Sequence, residues 1–154
     1  MELKVGDKIP SFSLKDQKGN TISKEDLVGV SNLVLYFYPK DDKPGCTKEA
    51  CAFRDEFEVF TDLGAKVIGV SADSPQSHAK FAEKYRLPFT LLSDEDNSLR
   101  KSFGVKGNLL GLLPGRVTFI VDKFGIVKHV FDSQFNATQH VKEAKDVLLS
   151  LSEK

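Results

Sequence analysis

Two cysteines stand five residues apart in a chain of 154 residues that has no others. The first, Cys46, follows Pro44 and Gly45, which come after the strongly apolar run of residues 32–38 and a charged turn. This order places Cys46 in the first turn of a helix, among free backbone N–H groups and at the positive end of the helix dipole. Both features stabilise a thiolate, so we predict a lowered pKa for Cys46 and thiol chemistry at this segment.

The cysteine pair fits few kinds of site. Two cysteines in a chain of this length do not make a disulfide framework. A close pair indicates a redox or metal role in a reducing compartment. The alternative is that the two are unrelated thiols of the core. A structural zinc site needs about four ligands, whereas His78, His129 and His140 lie singly on separate predicted elements. We therefore expect no metal site. A thioredoxin-type exchange site has the spacing Cys-x-x-Cys, and this pair is two residues wider.

Charge and hydropathy exclude other classes of partner. Lys plus Arg and Asp plus Glu number 22 each, so no basic field is available to hold a phosphate backbone, and we expect no nucleic-acid partner. The first seven residues lack an apolar signal core, and no run approaches membrane-spanning length, so we expect no membrane partner. We predict one domain over residues 1–154, in the cytoplasm, or in a plastid if a transit peptide has been removed.

The elements around the cysteines alternate between strands and helices. The run of residues 32–38 is apolar on both faces, which is typical of a central strand covered on two sides. The order of elements predicts an α/β fold, a mixed sheet with helices on both faces, which closes with a hairpin whose turn contains Gly125. Further strands are predicted over residues 65–72, 89–92, 117–121 and 126–131, and helices over residues 24–28, 46–63, 76–85, 97–103 and 138–151.

The helix predicted over residues 46–63 places the two cysteines unequally. Its apolar stripe begins with Cys46 and continues through Ala50, Phe53, Phe57 and Phe60, so Cys46 faces the core. Cys51 lies about 140° round the helix axis, near the edge of that face. A separation of five residues on a regular helix puts the two Cα atoms roughly 9 Å apart, and a disulfide rarely tolerates more than about 7 Å. A bond between these cysteines therefore requires the start of the helix to unwind.

Residues 36–51 resemble the active-site segment of the peroxiredoxins. The resemblance is closest to the bacterioferritin-comigratory-protein/PrxQ branch, especially its plant and cyanobacterial form. It depends most on Pro-Gly-Cys-Thr-Lys-Glu-Ala-Cys-Ala-Phe-Arg-Asp at residues 44–55, and it continues through residues 85–94 and 113–116. It extends over the chain from about residue 5 to residue 149, and it implies a thioredoxin-like fold.

The resemblance also implies a function. Cys46 resembles the peroxidatic cysteine, whose thiolate attacks a peroxide and becomes a sulfenic acid, and Cys51 resembles the resolving cysteine, which forms the Cys46–Cys51 disulfide. Arg116 resembles the arginine that stabilises the thiolate, and Pro39 the proline that shields it. The implied activity is that of a peroxidase for hydrogen peroxide and organic hydroperoxides in antioxidant defence. It is recycled by thioredoxin or a related dithiol, needs no cofactor, and is expected to be a monomer.

One position departs from the family pattern. The motif is Pro-x-x-x-Thr-x-x-Cys, and Lys43 stands where the threonine hydroxyl would approach the sulfur. Glu49, Lys43 and Tyr38 are further candidate residues of the substrate pocket. The leucine-rich loop at residues 104–113 is either an apolar wall of that pocket or a buried segment. Two other functions stay open as alternatives, a protein dithiol–disulfide oxidoreductase and a thioredoxin-like binding module.

Overall fold

The computed structural model describes residues 2–105, 115–134 and 136–152. Its strands are β1 (Ser13–Asp16), β2 (Thr21–Ser23), β3 (Asn32–Phe37), β4 (Ala65–Ser71), β5 (Thr90–Ser93), β6 (Val117–Val121) and β7 (Val127–Asp132). Its helices are α1 (Lys24–Leu27), α2 (Pro44–Asp55), α3 (Phe57–Asp62), α4 (Pro75–Tyr85), α5 (Ser98–Phe103) and α6 (Ala137–Ser152).

The strands form one mixed sheet in the order β2-β1-β5-β4-β3-β6-β7. Strands β3, β4 and β5 are parallel, whereas β6 pairs with β3 in the antiparallel sense. The central strand is β3, and every one of its residues after Asn32 is buried. The predicted α/β class and the predicted central strand are thus confirmed.

The side chains of β3 point alternately to the two faces of the sheet. Both faces carry apolar side chains, and helices cover each of them. Val34 and Tyr36 point towards α2, α3, α4 and α6, in the core that also contains Cys46 and Phe53. The second core lies against α1 and α5, and it contains Leu33, Leu35, Phe37, Leu99 and Phe103. The first core therefore contains the candidate sulfur, and the second supports the strand behind it.

The long helix predicted over residues 46–63 is wrong in its extent. The chain instead forms α2, which begins two residues earlier at Pro44, and α3, and the two are separated at Glu56. Both helices bury their apolar side chains against the same core, for example Phe53 and Phe60. An apolar stripe that continues across a one-residue break looks like one helix in the sequence, so its periodicity does not reveal the break.

Strands β3 to β7 and helices α1, α4, α5 and α6 begin and end within one residue of their predicted bounds. From residue 106 onward, the predicted leucine-rich loop lies outside the described residues. No helix within residues 2–105, 115–134 and 136–152 has the length and apolar character needed to span a membrane.

Candidate active site

Cys46 is the third residue of α2, immediately beyond the carboxyl end of β3 and a short loop. Pro44 occupies the first position of the helix, and the N-cap residue, Lys43, makes no side-chain capping hydrogen bond. The Cys46 side chain is 2% exposed, and Cys51, on the same helix, is half-buried. Both thiols are free. The geometric condition for the unwinding prediction, two cysteines on one helix, is therefore met.

Arg116 approaches Cys46 because it precedes β6, the strand that pairs with β3. Arg116 is 4% exposed, and one of its amino groups, Nη2, donates a hydrogen bond to Cys46 Sγ at 3.3 Å. Nη1 donates to Glu49 Oε1 at 2.6 Å, and Nε donates to the carbonyl of Gln134 at 3.0 Å. A Cβ atom at Gly45 would lie 3.1 Å from Nη2, so glycine lets the guanidinium come this close.

Glu49 lies one helical turn after Cys46 on the same face of α2, and it is fully buried. Burial raises the pKa of Glu49 to about 8, against the charge and hydrogen bond of Arg116, which lower it. Its second oxygen, Oε2, has no hydrogen-bond partner among the described residues and lies 3.7 Å from His140 Nδ1. Glu49 therefore holds Arg116 through one oxygen and leaves the other open.

His140 completes this group from α6, the helix that packs against α2. Its Nδ1 is 2.7 Å from the hydroxyl of Thr118, and its Nε2 donates to the carbonyl of Ser133 at 2.8 Å. Burial is the main cause that lowers the pKa of His140 to about 4; the charge of Arg116 acts in the same direction, and the hydrogen bond to the carbonyl of Ser133 acts against it. The histidine beside Glu49 is therefore uncharged at neutral pH.

The predicted lowering of the Cys46 pKa is wrong for this conformation. Burial raises the pKa of the thiol above its ordinary value, and the charge of Glu49 adds to the rise. The guanidinium of Arg116 and the backbone N–H of Lys40 lower the pKa, but by less. A helix start lowers the pKa of a hydrated thiol, whereas the inward position of Cys46 on α2 removes its thiol from water.

The structure places the other candidate residues around this centre. Pro39 is half-buried and directly follows β3 and Tyr38, and Lys43 is exposed at the start of α2. The Tyr38 ring lies in the same core as Cys46, but its hydroxyl donates to Asp41 Oδ1. Arg116 thus contacts both Glu49 and Cys46. Lys43 faces solvent, and the Tyr38 hydroxyl belongs to a neighbouring network.

That neighbouring network was not predicted from the sequence. Asp41 Oδ2 lies 2.8 Å from His78 Nδ1 and accepts a hydrogen bond from Ser77, and His78 Nε2 donates to the carbonyl of Leu92. Asp41, His78 and Asp73 have the donor types of a metal site, but Asp73 Oδ2 already accepts hydrogen bonds from the N–H of Asp41 and the hydroxyl of Ser71. Asp41 and His78 are 37 residues apart, and their types alone do not indicate contact.

Arg100, on α5, was also not predicted. It is 8% exposed, and its guanidinium donates to the backbone carbonyls of Tyr38 and Gly115. Nothing in its local sequence distinguishes it from the exposed Lys101 that follows. Only the packing of α5 against the sheet brings it to the pocket.

The chain is similar to known proteins over most of its length. The AhpC/TSA family matches residues 5–130. The chain is 54% identical over 142 residues to a chloroplastic peroxiredoxin Q of Populus jackii, covering 92% of this chain and 66% of that protein. It is 52% identical over 142 residues to the peroxiredoxin Q of Sedum lineare, covering 92% of this chain and 76% of that one. The chain thus spans just under two thirds of the Populus jackii relative.

Solved structures show the same fold. The peroxidoxin BcpB of Mycobacterium tuberculosis superposes with a TM-score of 0.90 at 39% identity, covering 97% of this chain and 99% of that one. The bacterioferritin comigratory protein of Xanthomonas campestris, a protein described by its alkyl peroxide reduction activity, superposes with a TM-score of 0.83 at 32% identity, covering 92% of each chain.

Proposed function

The chain belongs to the AhpC/TSA family, in its peroxiredoxin Q branch, and from this premise we propose that it is a thiol-dependent peroxidase. The observation that carries the proposal is the contact of 3.3 Å between Arg116 Nη2 and Cys46 Sγ in a buried site. A guanidinium in this place stabilises the thiolate and then the negative charge that develops on a peroxide oxygen.

In the first step the Cys46 thiolate attacks one oxygen of the peroxide. The O–O bond breaks, its electron pair leaves with the second oxygen, and that oxygen takes a proton to become water or an alcohol. Cys46 becomes a sulfenic acid. Arg116 supplies N–H donors beside the sulfur, and Glu49 fixes the orientation of the guanidinium through the hydrogen bond of 2.6 Å from Nη1 to Oε1. Pro39, half-buried at the start of the loop, is proposed to shield the sulfur.

In the second step the Cys51 thiolate attacks the sulfenic sulfur, and hydroxide leaves and is protonated to water. The two cysteines sit five residues apart on α2, where a regular helix separates their Cα atoms by roughly 9 Å. The start of α2 must therefore unwind to form the disulfide. The absence of a side-chain cap at Lys43 makes that end easier to open.

A dithiol reductant then supplies two electrons and returns both thiols. Thioredoxin is the proposed reductant, and hydrogen peroxide and small alkyl hydroperoxides are the proposed substrates, the latter by analogy with the Xanthomonas campestris protein. The intramolecular disulfide requires no second subunit, which supports a monomer. The relatives named chloroplastic support a plastid as one compartment, beside the cytoplasm proposed from the sequence.

Peroxide consumption in the presence of thioredoxin, thioredoxin reductase and NADPH tests this proposal. Wild type is expected to turn over. Cys46→Ser should lose all activity, whereas Cys51→Ser should complete one stoichiometric turnover and then stop with thioredoxin as reductant. A wild-type protein that consumes peroxide no faster than Cys46→Ser would contradict the proposal. Loss of amide protection at the start of α2 on oxidation would separately test the unwinding step.

A further inference from the structure

The buried guanidinium of Arg100 reaches two backbone carbonyls from the face of the sheet opposite to Cys46. Nη1 donates to the carbonyl of Gly115 at 2.8 Å, and Nη2 donates to the carbonyl of Tyr38 at 3.0 Å. The guanidinium carbon lies 5.6 Å from the centre of the Phe37 ring, at the end of β3. One side chain on α5 thus contacts both chain segments that continue into the proposed active site.

Both carbonyls lie just before groups that touch the sulfur. Tyr38 is followed by the loop in which the N–H of Lys40 bonds to Cys46, and Gly115 directly precedes Arg116. The pairing between β3 and β6 ends at Phe37 opposite Val117. In the described chain, β3 and β6 form no further backbone pairs beyond that point, and there Arg100 connects the segment after β3 to the segment before β6 through its hydrogen bonds to Tyr38 and Gly115.

We propose that Arg100 is a positioning residue of the peroxide pocket, which fixes Arg116 and the loop after β3 relative to Cys46 by bridging the carbonyls of Gly115 and Tyr38. The inference rests on the proposed function, since it concerns the geometry of that reaction. Misplacing reacting groups by about 1 Å can cost a factor of about 100 in rate. Loss of the bridge would also leave two buried carbonyls without these donors.

The position of Arg100 does not depend on its own side chain. The backbone N–H groups of Leu99 and Arg100 both donate to the buried carboxylate of Asp94, which fixes the start of α5. Among the residues that the structure describes, the Arg100 guanidinium donates to backbone carbonyls and forms no ion pair with a carboxylate. Its contacts are therefore those of a bridge between backbone segments rather than of an ion pair.

The test uses the full chain with Arg100→Gln, Arg100→Lys and a control, Gln17→Ala. Gln17 also bridges two backbone groups, the carbonyl of Phe89 and the N–H of Leu91, but on β5 and its approach, away from the pocket. Two rates are measured for Cys46 over a range of pH, the second-order reaction with hydrogen peroxide and alkylation by iodoacetamide. Alkylation needs only the thiolate, whereas peroxide reduction needs the positioned donors.

Arg100→Gln is expected to lower the peroxide rate about 10-fold to 100-fold, while the alkylation rate per thiolate changes less than about 3-fold. Arg100→Lys keeps the charge but not the two-pronged donor, and it should lose at least about 5-fold in the peroxide rate. In an Arg116→Gln background, Arg100→Gln should have little further effect, because it acts mainly through Arg116. Gln17→Ala should lower the melting temperature and keep the wild-type peroxide rate.

An active wild type whose Arg100→Gln variant reacts with peroxide as fast as Gln17→Ala overturns the inference and leaves the proposed function standing. A wild type that reacts no faster than Cys46→Ser overturns the proposed function itself. If Arg100→Gln does not fold, the peroxide rate of Arg100→Lys tests the inference instead. A folded Arg100→Lys with the wild-type peroxide rate would also overturn the inference.

Discussion

Two buried polar clusters involve the loop between β3 and α2 and the helix that follows it, and they differ in how many of their polar atoms have hydrogen-bond partners. In the anchor cluster (Tyr38, Asp41, Ser77 and His78), both carboxylate oxygens of Asp41 are engaged. In the thiol cluster (Cys46, Glu49, Arg116 and His140), one oxygen of Glu49 has no hydrogen-bond partner among the described residues. The pKa values of Glu49 and His140 are moved to about 8 and about 4.

This difference in hydrogen bonding indicates different roles: the anchor cluster stabilises the structure, and the thiol cluster takes part in the proposed reaction. A fully satisfied buried network fixes the chain in one arrangement, and here it ties the loop to α4. A cluster with an open oxygen and shifted pKa values has charge and protons available for chemistry. The anchor cluster fixes the loop between β3 and α2, and the same loop provides the backbone N–H of Lys40 that bonds to Cys46 in the thiol cluster.

The largest expected effect comes from breaking the thiol cluster at Arg116. Among the described residues, Arg116 has the only side chain that donates a hydrogen bond to Cys46 Sγ, and Arg116→Gln removes it. The peroxide rate should fall by about 100-fold or more, which corresponds to a rise of about 2.7 kcal/mol in the activation free energy. The pKa of Cys46 should rise, because Arg116 lowers it. Stopped-flow rates and the pH profile of thiol alkylation measure both. A rate within 3-fold of wild type would contradict the role of Arg116.

His140 makes the thiol cluster sensitive to acid. Its folded-state pKa of about 4 lies below its ordinary value of 6.5, so its contribution to stability is fully present above pH 6.5 and is lost as the pH falls towards 4. The loss is on the order of 3 kcal/mol.

Denaturant titrations of wild type and His140→Gln at several pH values between 7 and 4 measure this difference. Glu49 is retained in both proteins, so its own titration cancels. The free energy of unfolding of the variant should fall less on acidification than that of wild type. His129→Gln, at a half-exposed histidine on β7, controls for the loss of one histidine. Equal slopes for wild type and His140→Gln would refute the prediction.

Breaking the anchor cluster should affect stability more than catalysis. His78→Gln loses the contact of 2.8 Å with Asp41 in a fully buried setting, and the free energy of unfolding should fall by about 2 kcal/mol. The peroxide rate of the folded protein should change less than about 3-fold. Among the described residues, the hydrogen-bond partners of His78 are Tyr38, Asp41 and Leu92, and none of these groups donates to Cys46 Sγ. If the rate fell as far as in Arg116→Gln, the division into an anchor and a reactive cluster would be wrong.

The smallest effect is expected at Lys43, between the two clusters. The structure places Lys43 in solvent at the N-cap of α2, and Lys43→Thr restores both the family residue and a better cap. We expect the peroxide rate to rise by a few-fold at most, with a gain in stability of about 1 kcal/mol from the cap. Paired measurements of rate and melting temperature separate the two contributions. An unchanged peroxide rate would mean that position 43 takes no part in catalysis.

The sequence predicted much of the fold because its strongest patterns are local. The apolar run of β3, the proline before Cys46 and the stripe on α2 each depend on neighbouring residues, and the structure has all three. The resemblance added Arg116, whose contact with Cys46 spans 70 residues. The break at Glu56 was missed, because the stripe continues into α3.

What the sequence by itself determined is the identity and order of the chemical groups: a thiol at a helix start, a second thiol five residues later, and the elements that carry them. Only the tertiary structure decided their environment. Burial raised the pKa of Cys46 where the helix start alone predicted a fall, and the packing of α5 and α6 brought Arg100 and His140 to the pocket. Desolvation and long-range contact depend on how separate elements pack, and no local pattern records them.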